Sequence, residues 1–144
     1  MERTYTVLIV DDNLEDRFIL KRYLAKTTLP LVVLEASGGL EGIELLTTQL
    51  TALREKYPDI SAPVILFLDI NMPRMNGWEF VEELHRQRKE IALKPTIVMM
   101  YSTSGADVEK RKAETYDTVA NYIVKGESTP ETLRQAILSS VGVR

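Results

Sequence analysis

Asp11 and Asp12 stand side by side at the end of the apolar run Val7-Leu8-Ile9-Val10. A third aspartate, Asp69, ends the run Val64–Leu68 and is followed by Ile70-Asn71-Met72-Pro73. Ser102 and Thr103 follow the run Thr96–Tyr101, and Lys125 follows Asn121–Val124. Each group alone is an ordinary polar end to an apolar run. Brought together they form a specific set. Clustered carboxylates repel, and each raises its neighbours' pKa unless a cation intervenes. Oxygen-rich carboxylate sites suit Mg²⁺, which keeps several waters and binds phosphate oxygens. A lysine supplies fixed positive charge for an anionic ligand, and a hydroxyl supplies an orientable hydrogen bond. The set fits a phosphoryl group held on or beside a carboxylate, because phosphoryl transfer asks mainly for positioning and charge neutralisation.

For these residues to meet, the runs that carry them must be neighbouring strands. Five short runs stand out: Tyr5–Val10, Leu31–Glu35, Val64–Leu68, Thr96–Tyr101 and Asn121–Val124. They are rich in Val, Ile and Leu and mostly do not alternate with polar residues, which predicts strands buried on both faces of a parallel sheet.

Between the runs lie segments with helical spacing. Leu14–Lys26 follows Asn13 as N-cap and places Leu14, Phe18, Leu20, Tyr23 and Leu24 largely along one side. Leu40–Tyr57, with Leu40, Ile43, Leu46, Leu50 and Leu53, predicts a long helix closed by a loop at Pro58–Pro63. Trp78–Lys89 carries Trp78, Val81 and Leu84 against a charged remainder. Ala106–Tyr116 is strongly polar and should cover the sheet only lightly. Pro130–Val141 starts from Ser128 or Thr129 as cap, with Pro130 in the first turn.

Strands alternating with helices imply a doubly wound α/β sheet with right-handed crossovers. Sites in such sheets lie outside the carboxyl ends of the strands, at the switch in strand order. All the residues singled out above follow strand ends.

The 144 residues fit a single domain, and no linker or repeat divides them. The chain has no cysteine and one histidine, which excludes disulfides, thiol chemistry and a His-rich metal site. A net charge of −3 gives no support to nucleic-acid binding. No run approaches the roughly 20 apolar residues of a membrane span, and the N-terminus does not read as a signal peptide. We expect a cytoplasmic protein.

The sequence resembles the receiver domain of two-component response regulators. The acidic pair in Val7-Leu-Ile-Val-Asp11-Asp12-Asn13, the segment Leu68-Asp69-Ile-Asn-Met-Pro73-Arg-Met-Asn-Gly77, Ser102 and Lys125 carry the likeness. They occur in the family's order, each at a strand end, and the likeness covers nearly the whole chain. It implies a (βα)5 flavodoxin-like sheet in the order 2-1-3-4-5, one receiver domain over residues 1–144, and no output domain.

The resemblance also implies roles. Asp69 would accept a phosphoryl group from a sensor histidine kinase or a His-containing phosphotransfer protein. Asp12 and Asp69 would bind Mg²⁺ directly, Asp11 mainly through water, and the Asn71 carbonyl would complete the protein ligands. Lys125 would pair with phosphoryl oxygens. Ser102 would move toward the phosphoryl group, and Tyr122 would turn inward with it. The face of helix 4, strand 5 and helix 5 would then be remodelled for an unknown protein target. A homodimer through that face is expected. Gly126 departs from the proline that commonly follows the lysine, and Thr103 from the small residue that often follows the switch hydroxyl. The long second helix and the Tyr57–Pro63 loop resemble stand-alone regulators, some paired with phytochrome-type kinases.

Several residues have plainer readings. Pro73 and Asn76-Gly77 shape turns, and Thr103 and Ser104 are loop or capping residues. His85 reads as a solvated surface residue and Glu109–Lys112 as a solvated helix face. Trp78 reads as partly packed, or as a binding anchor. Two roles stay open for the switch, a phosphorelay intermediate or a terminal output. A non-phosphorylated scaffold is a third reading, which the retained Asp69, acidic pair and lysine oppose. A flavin-binding enzyme would need a phosphate cradle after strand 1, where two carboxylates stand instead. An aspartate-based phosphatase would need a second aspartate two residues after the first, which Asp11-Asp12-Asn13 lacks.

Overall fold

The computed structural model describes residues 4–49, 52, 55–56, 60–87 and 96–142. Five strands form one sheet: β1 (Thr4–Val10), β2 (Leu31–Ala36), β3 (Ile60–Leu68), β4 (Thr96–Ser102) and β5 (Val119–Val124). Their order is β2-β1-β3-β4-β5 and every pair is parallel. The helices are α1 (Leu14–Lys26), α2 (Gly39–Glu44), α3 (Gly77–Arg86), α4 (Asp107–Glu114) and α5 (Pro130–Ser140).

The unalternating apolar runs are explained by two cores. Side chains along a strand point to opposite faces in turn. Leu8, Val10, Leu66, Leu68, Val98 and Met100 pack on one face with Phe80, Val81 and Leu84 of α3. Val7, Ile9, Ile65, Phe67, Met99 and Tyr101 pack on the other with Leu20 and Leu24 of α1 and Leu133 and Ile137 of α5. Both faces are therefore covered, and the stretches Val7–Val10, Val64–Leu68 and Ile97–Tyr101 are apolar at every position but the Tyr101 hydroxyl.

Several boundaries differ from the sequence reading. The segment 58–63 was expected as a loop, but β3 already begins at Ile60. Tyr5 pairs with Ser61 while Thr6 pairs with Val64, so Ala62 and Pro63 bulge out of the ladder. A proline lacks the N–H that a regular ladder needs, and a bulge accommodates it inside a strand. Helix α2 is short and passes into a wider π turn at Leu45–Gln49. Of the remainder of the expected helix, Ala52, Glu55 and Lys56 are helical, and Leu50 and Leu53 lie outside the described residues.

On α1, the single apolar side is in fact two stripes. Leu20 and Leu24 are buried, whereas Leu14 and Phe18 are 69% and 54% exposed. At about 100° per residue, Phe18 lies about 160° around the helix from Leu20. Leu14 and Phe18 share their own stripe on the outer side. Leu40 is likewise exposed, and Leu46 supplies the buried contact of that segment.

The helix ends explain how the loops reach the sheet edge. Asn13 caps α1 by accepting from the Asp16 N–H at 2.9 Å. Asn76 caps α3, and the Glu79 carboxylate accepts from the Asn76 N–H in return at 3.0 Å. Thr129 caps α5, with Pro130 in its first turn. As expected, α4 buries little, only Ala113 among its residues.

Candidate functional site

The pocket forms where β1 and β3 lie side by side and the chain leaves them toward opposite faces. The Asp69 N–H donates to the Val10 carbonyl at 2.9 Å, and the Asp11 N–H donates to the Ala36 carbonyl at 3.1 Å. The backbone of both aspartates thus continues the sheet, and their side chains stand at its carboxyl edge. Asp11 and Asp69 are buried, and Asp12 is exposed. Oxygens of Asp11, Asp12 and Asp69 lie within 4.8 Å of one another.

The loop after β3 folds back tightly on Asp69. The Gly77 N–H donates to the Ile70 carbonyl at 2.8 Å. A Cβ at position 77 would lie 2.5 Å from the Asp69 carbonyl oxygen, so only glycine fits. Asn71 is exposed in the same loop, two residues beyond Asp69.

Lys125 reaches this edge from β5. Its ammonium donates to Asp11 Oδ2 at 2.6 Å and to Asp16 Oδ2 at 2.8 Å, and lies 3.5 Å from Asp69 Oδ1. It sits 5.8 Å from the centroid of the Tyr101 ring. The Ser128 hydroxyl donates to the Lys125 carbonyl at 3.0 Å and lies 3.0 Å from the Tyr101 hydroxyl. The lysine is therefore fixed at both its backbone and its charged end.

These contacts set the local electrostatics. Burial, helped by the negative charge of Asp11, pushes the Asp69 carboxyl up to about 6, against the pull of Lys125. Burial alone would lower the Lys125 ammonium, yet its hydrogen bonds to Asp11 and Asp16 hold it well above its usual range. Three carboxylates sharing one lysine leave excess negative charge at the strand ends. All the donors are hard oxygens, the chemistry that suits Mg²⁺.

Ser102, at the end of β4, is fully buried, and its hydroxyl accepts from the Ser104 N–H at 3.2 Å. Tyr122 on β5 is half-buried, and its hydroxyl donates to the Ser104 carbonyl at 2.7 Å. Thr103 is exposed, and Ser104 accepts from the Ala106 N–H at 3.3 Å, a loop contact ahead of α4, whose N-cap Ala106 has no side-chain cap bond.

The sequence reading missed Asp16 and its neighbour. Asp16 sits in the first turn of α1, where an acid is ordinary because it complements the helix dipole. Only the approach of Lys125, 109 residues on, reveals its contact. Arg17 donates to the Asp11 carbonyl at 2.7 Å and to Glu35 at 3.1 Å. Lys21 donates to Glu35 at 2.8 Å, and this bond above all lowers the Glu35 carboxyl below its usual range.

Two surface readings need correction. His85 is not simply solvated: it is half-buried, with Nε2 2.8 Å from the Thr118 hydroxyl. The Glu109–Lys112 face is not free either. Glu109 accepts from the Trp78 indole N–H at 2.9 Å, and the Lys112 ammonium lies 5.0 Å from the Trp78 ring centroid. Trp78 is thus buried and committed to holding α4 against α3.

Comparison with known proteins agrees with this geometry. A Campylobacter jejuni subsp. jejuni chemotaxis protein CheY homolog is 33% identical over 136 residues, 94% of this chain and 92% of that protein. The Helicobacter pylori sensor histidine kinase CheAY is 36% identical over 85 residues, 59% of this chain but only 9% of that protein. A two component response regulator from Cytophaga hutchinsonii superposes with a TM-score of 0.75 at 25% identity, covering 97% of this chain and 98% of that one. Among the described residues, no helix is long and apolar enough to cross a membrane. The response regulator receiver domain matches residues 7–138, and the chain belongs to that family of two-component signalling domains.

Proposed function

We propose that the chain is a phosphorylation-dependent signalling switch with Asp69 as its phosphoryl acceptor. One observation carries this reading. Asp69 is a buried carboxylate at a strand end, with Asp11 and Asp12 oxygens within 4.8 Å and the Lys125 ammonium at 3.5 Å. An Asp69 oxygen attacks the phosphorus of a phosphohistidine on a sensor kinase or phosphotransfer protein. A P–O bond forms on Asp69, the P–N bond breaks, and the imidazole leaves with the electron pair.

Asp11, Asp12, Asp69 and the Asn71 carbonyl are the oxygens that would hold Mg²⁺. When bound, it neutralises charge that Asp69 would otherwise present to an incoming phosphoryl group. Lys125 supplies the other cation at the same edge. Asp69, elevated to about 6, is still largely ionised at neutral pH and available as a nucleophile.

The readout runs through Ser102 and Tyr122. A phosphoryl group adds charge and strong acceptors at Asp69. The Ser102 hydroxyl, which holds the Ser104 N–H, is the group that turns toward it. Tyr122, held to the Ser104 carbonyl, then follows the β4–α4 loop. Phosphorylation shifts the populations of two arrangements by its differential contacts with them. The face of α4, β5 and α5 is the surface read by a protein target. The exposed Leu14 and Phe18 on α1, beginning beside Asp12, offer the phosphoryl donor an apolar landing stripe.

The test is intact-protein mass after incubation with acetyl phosphate, with and without Mg²⁺. Here acetate is the leaving group. We expect a Mg²⁺-dependent gain of one phosphoryl group in the wild type and none in Asp69→Asn. No gain in the wild type, either from acetyl phosphate or from a phosphohistidine donor, would overturn the reading in favour of a scaffold.

A further inference from the structure

Lys125 is held more closely by two carboxylates than by the acceptor itself. An ammonium has three N–H donors. Two are spent on Asp11 at 2.6 Å and Asp16 at 2.8 Å, while Asp69 stands at 3.5 Å, beyond an ordinary hydrogen bond. Of the two anchors, Asp11 also belongs to the acidic trio, and Asp16 does not. A cation drawing on Asp11 leaves Asp16 as the carboxylate whose claim on Lys125 is undivided.

Asp16 is itself well placed to act as a fixed anchor. Its N–H is held by the Asn13 cap at 2.9 Å. The next residue, Arg17, is pinned to the Asp11 carbonyl at 2.7 Å and to Glu35 at 3.1 Å. The first turn of α1 is thereby fastened to the ends of β1 and β2. On the Lys125 side, the Ser128 hydroxyl holds the Lys125 carbonyl at 3.0 Å, so the backbone is set and the direction of the ammonium is left to its carboxylate partners.

We propose that Asp16 is a positioning residue for phosphoryl transfer. It holds the Lys125 ammonium at the pocket edge with its third N–H free for a phosphoryl oxygen on Asp69. The inference rests on Asp69 being the acceptor. Asp16 touches no reacting atom and acts only through Lys125.

The experiment is a double-mutant cycle on Asp16→Ala and Lys125→Ala, with Asp16→Asn and Asp16→Glu as companions. The Asp16 side chain makes no cap bond, since Asn13 supplies the cap, so α1 keeps its start in every variant. Removing a group that orients another typically lowers activity by about 10- to 100-fold. We expect the maximal rate of phosphorylation by acetyl phosphate at saturating Mg²⁺ to fall about tenfold in Asp16→Ala. Asp16→Asn should behave like Asp16→Ala, and Asp16→Glu should recover part of the rate. In the Lys125→Ala background the Asp16 substitution should have no further effect. The second readout needs no phosphoryl donor. The Lys125 ammonium ¹H–¹⁵N resonance, identified by its loss in Lys125→Ala, should be visible in the metal-free wild type and broadened in Asp16→Ala.

An unchanged rate and an unchanged resonance in Asp16→Ala would overturn the inference, as would a loss of equal size with and without Lys125. Failure of the wild type to take up a phosphoryl group would instead overturn the reading of Asp69. The ammonium resonance would still report on the Asp16–Lys125 contact in that case.

Discussion

The hydroxyls of Ser102 and Tyr122 hold opposite ends of one residue. Ser102 accepts from the Ser104 N–H at 3.2 Å, and Tyr122 donates to the Ser104 carbonyl at 2.7 Å. The two side chains come from adjacent strands, β4 and β5, and are joined through this loop residue. A change in the Ser102 hydroxyl therefore reaches Tyr122 through the backbone of one residue.

Tyr122→Phe removes one end of that grip and keeps the ring. A neutral hydrogen bond of this kind contributes about 0.5–1.5 kcal/mol. We expect a loss of stability of that size by denaturant titration, with the fold unchanged. Faster amide hydrogen exchange at Ser104 and Gly105 should accompany it, because the β4–α4 loop loses its outer tether. Unaltered exchange there would show that the loop is held by other contacts.

The raised Asp69 carboxyl makes stability depend on pH in a defined direction. Its carboxyl titrates at about 6 in the folded protein against an ordinary value of 3.8. The folded state therefore binds more protons in that window, and stability contributed by Asp69 falls as pH rises from 3.8 to about 6. Asp69→Asn removes this limb. Without divalent cations, the variant should melt higher than the wild type at pH 7.5, and the gap should close toward pH 4. Added Mg²⁺ should raise the wild-type melting temperature more than that of the variant, by mass action on the folded state. Melting curves across pH, with and without the cation, check both statements.

The strand ends were legible in the sequence because two signals coincide there. The central strands are covered on both faces, so their C-terminal halves are unbroken apolar stretches, and the charged or hydroxyl residue that ends each run marks the edge where a site belongs. Asp11, Asp69, Ser102 and Lys125 are all found in this way. What stayed hidden depends on contacts distant in sequence or on ambiguous local signals. Asp16 looks like any acid in a first helical turn until Lys125 arrives beside it. Pro63 reads as a breaker, although the bulge opposite Tyr5 and Thr6 lets β3 run through it. Leu14 and Phe18 share the spacing of Leu20 and Leu24, and only the face that α1 turns to the sheet decides which pair is buried. His85 meets Thr118 across 33 residues, which no local pattern announces.

Arg17 joins the acidic pocket to the edge strand β2. It is largely buried, donating to the Asp11 carbonyl at 2.7 Å and to Glu35 at 3.1 Å. Hydrogen bonds to charged groups contribute about 1.5–3 kcal/mol each. We expect Arg17→Ala to destabilise the protein by at least that amount in chemical denaturation. The acid limb should also change. Lys21 and Arg17 hold the Glu35 carboxyl below 4.5, so its stabilising contribution is present above that pH and lost as pH falls through the lowered value. In Arg17→Ala, Glu35 should begin to protonate at a higher pH, seen directly by carboxyl ¹³C NMR titration. An unmoved Glu35 titration would mean that Lys21 alone sets its value.

Gly77 fixes how closely the loop after β3 approaches the acceptor. A methyl group there would lie 2.5 Å from the Asp69 carbonyl oxygen and 2.9 Å from the Ile70 Cα, both backbone atoms that cannot swing aside. Gly77→Ala must therefore move the Asp69 peptide or the start of α3. Overpacking of this kind destabilises by about 1–3 kcal/mol. The displaced peptide carries the Asp69 side chain with it, so Mg²⁺ affinity should fall together with stability. Gly126→Ala is the control, because a Cβ there meets nothing within 4 Å. Calorimetric Mg²⁺ titration and thermal melting of the two variants should separate them: both quantities fall in Gly77→Ala, and neither changes appreciably in Gly126→Ala. Equal Mg²⁺ affinity in Gly77→Ala and the wild type would show that the metal-binding oxygens tolerate a shift of the Asp69 backbone.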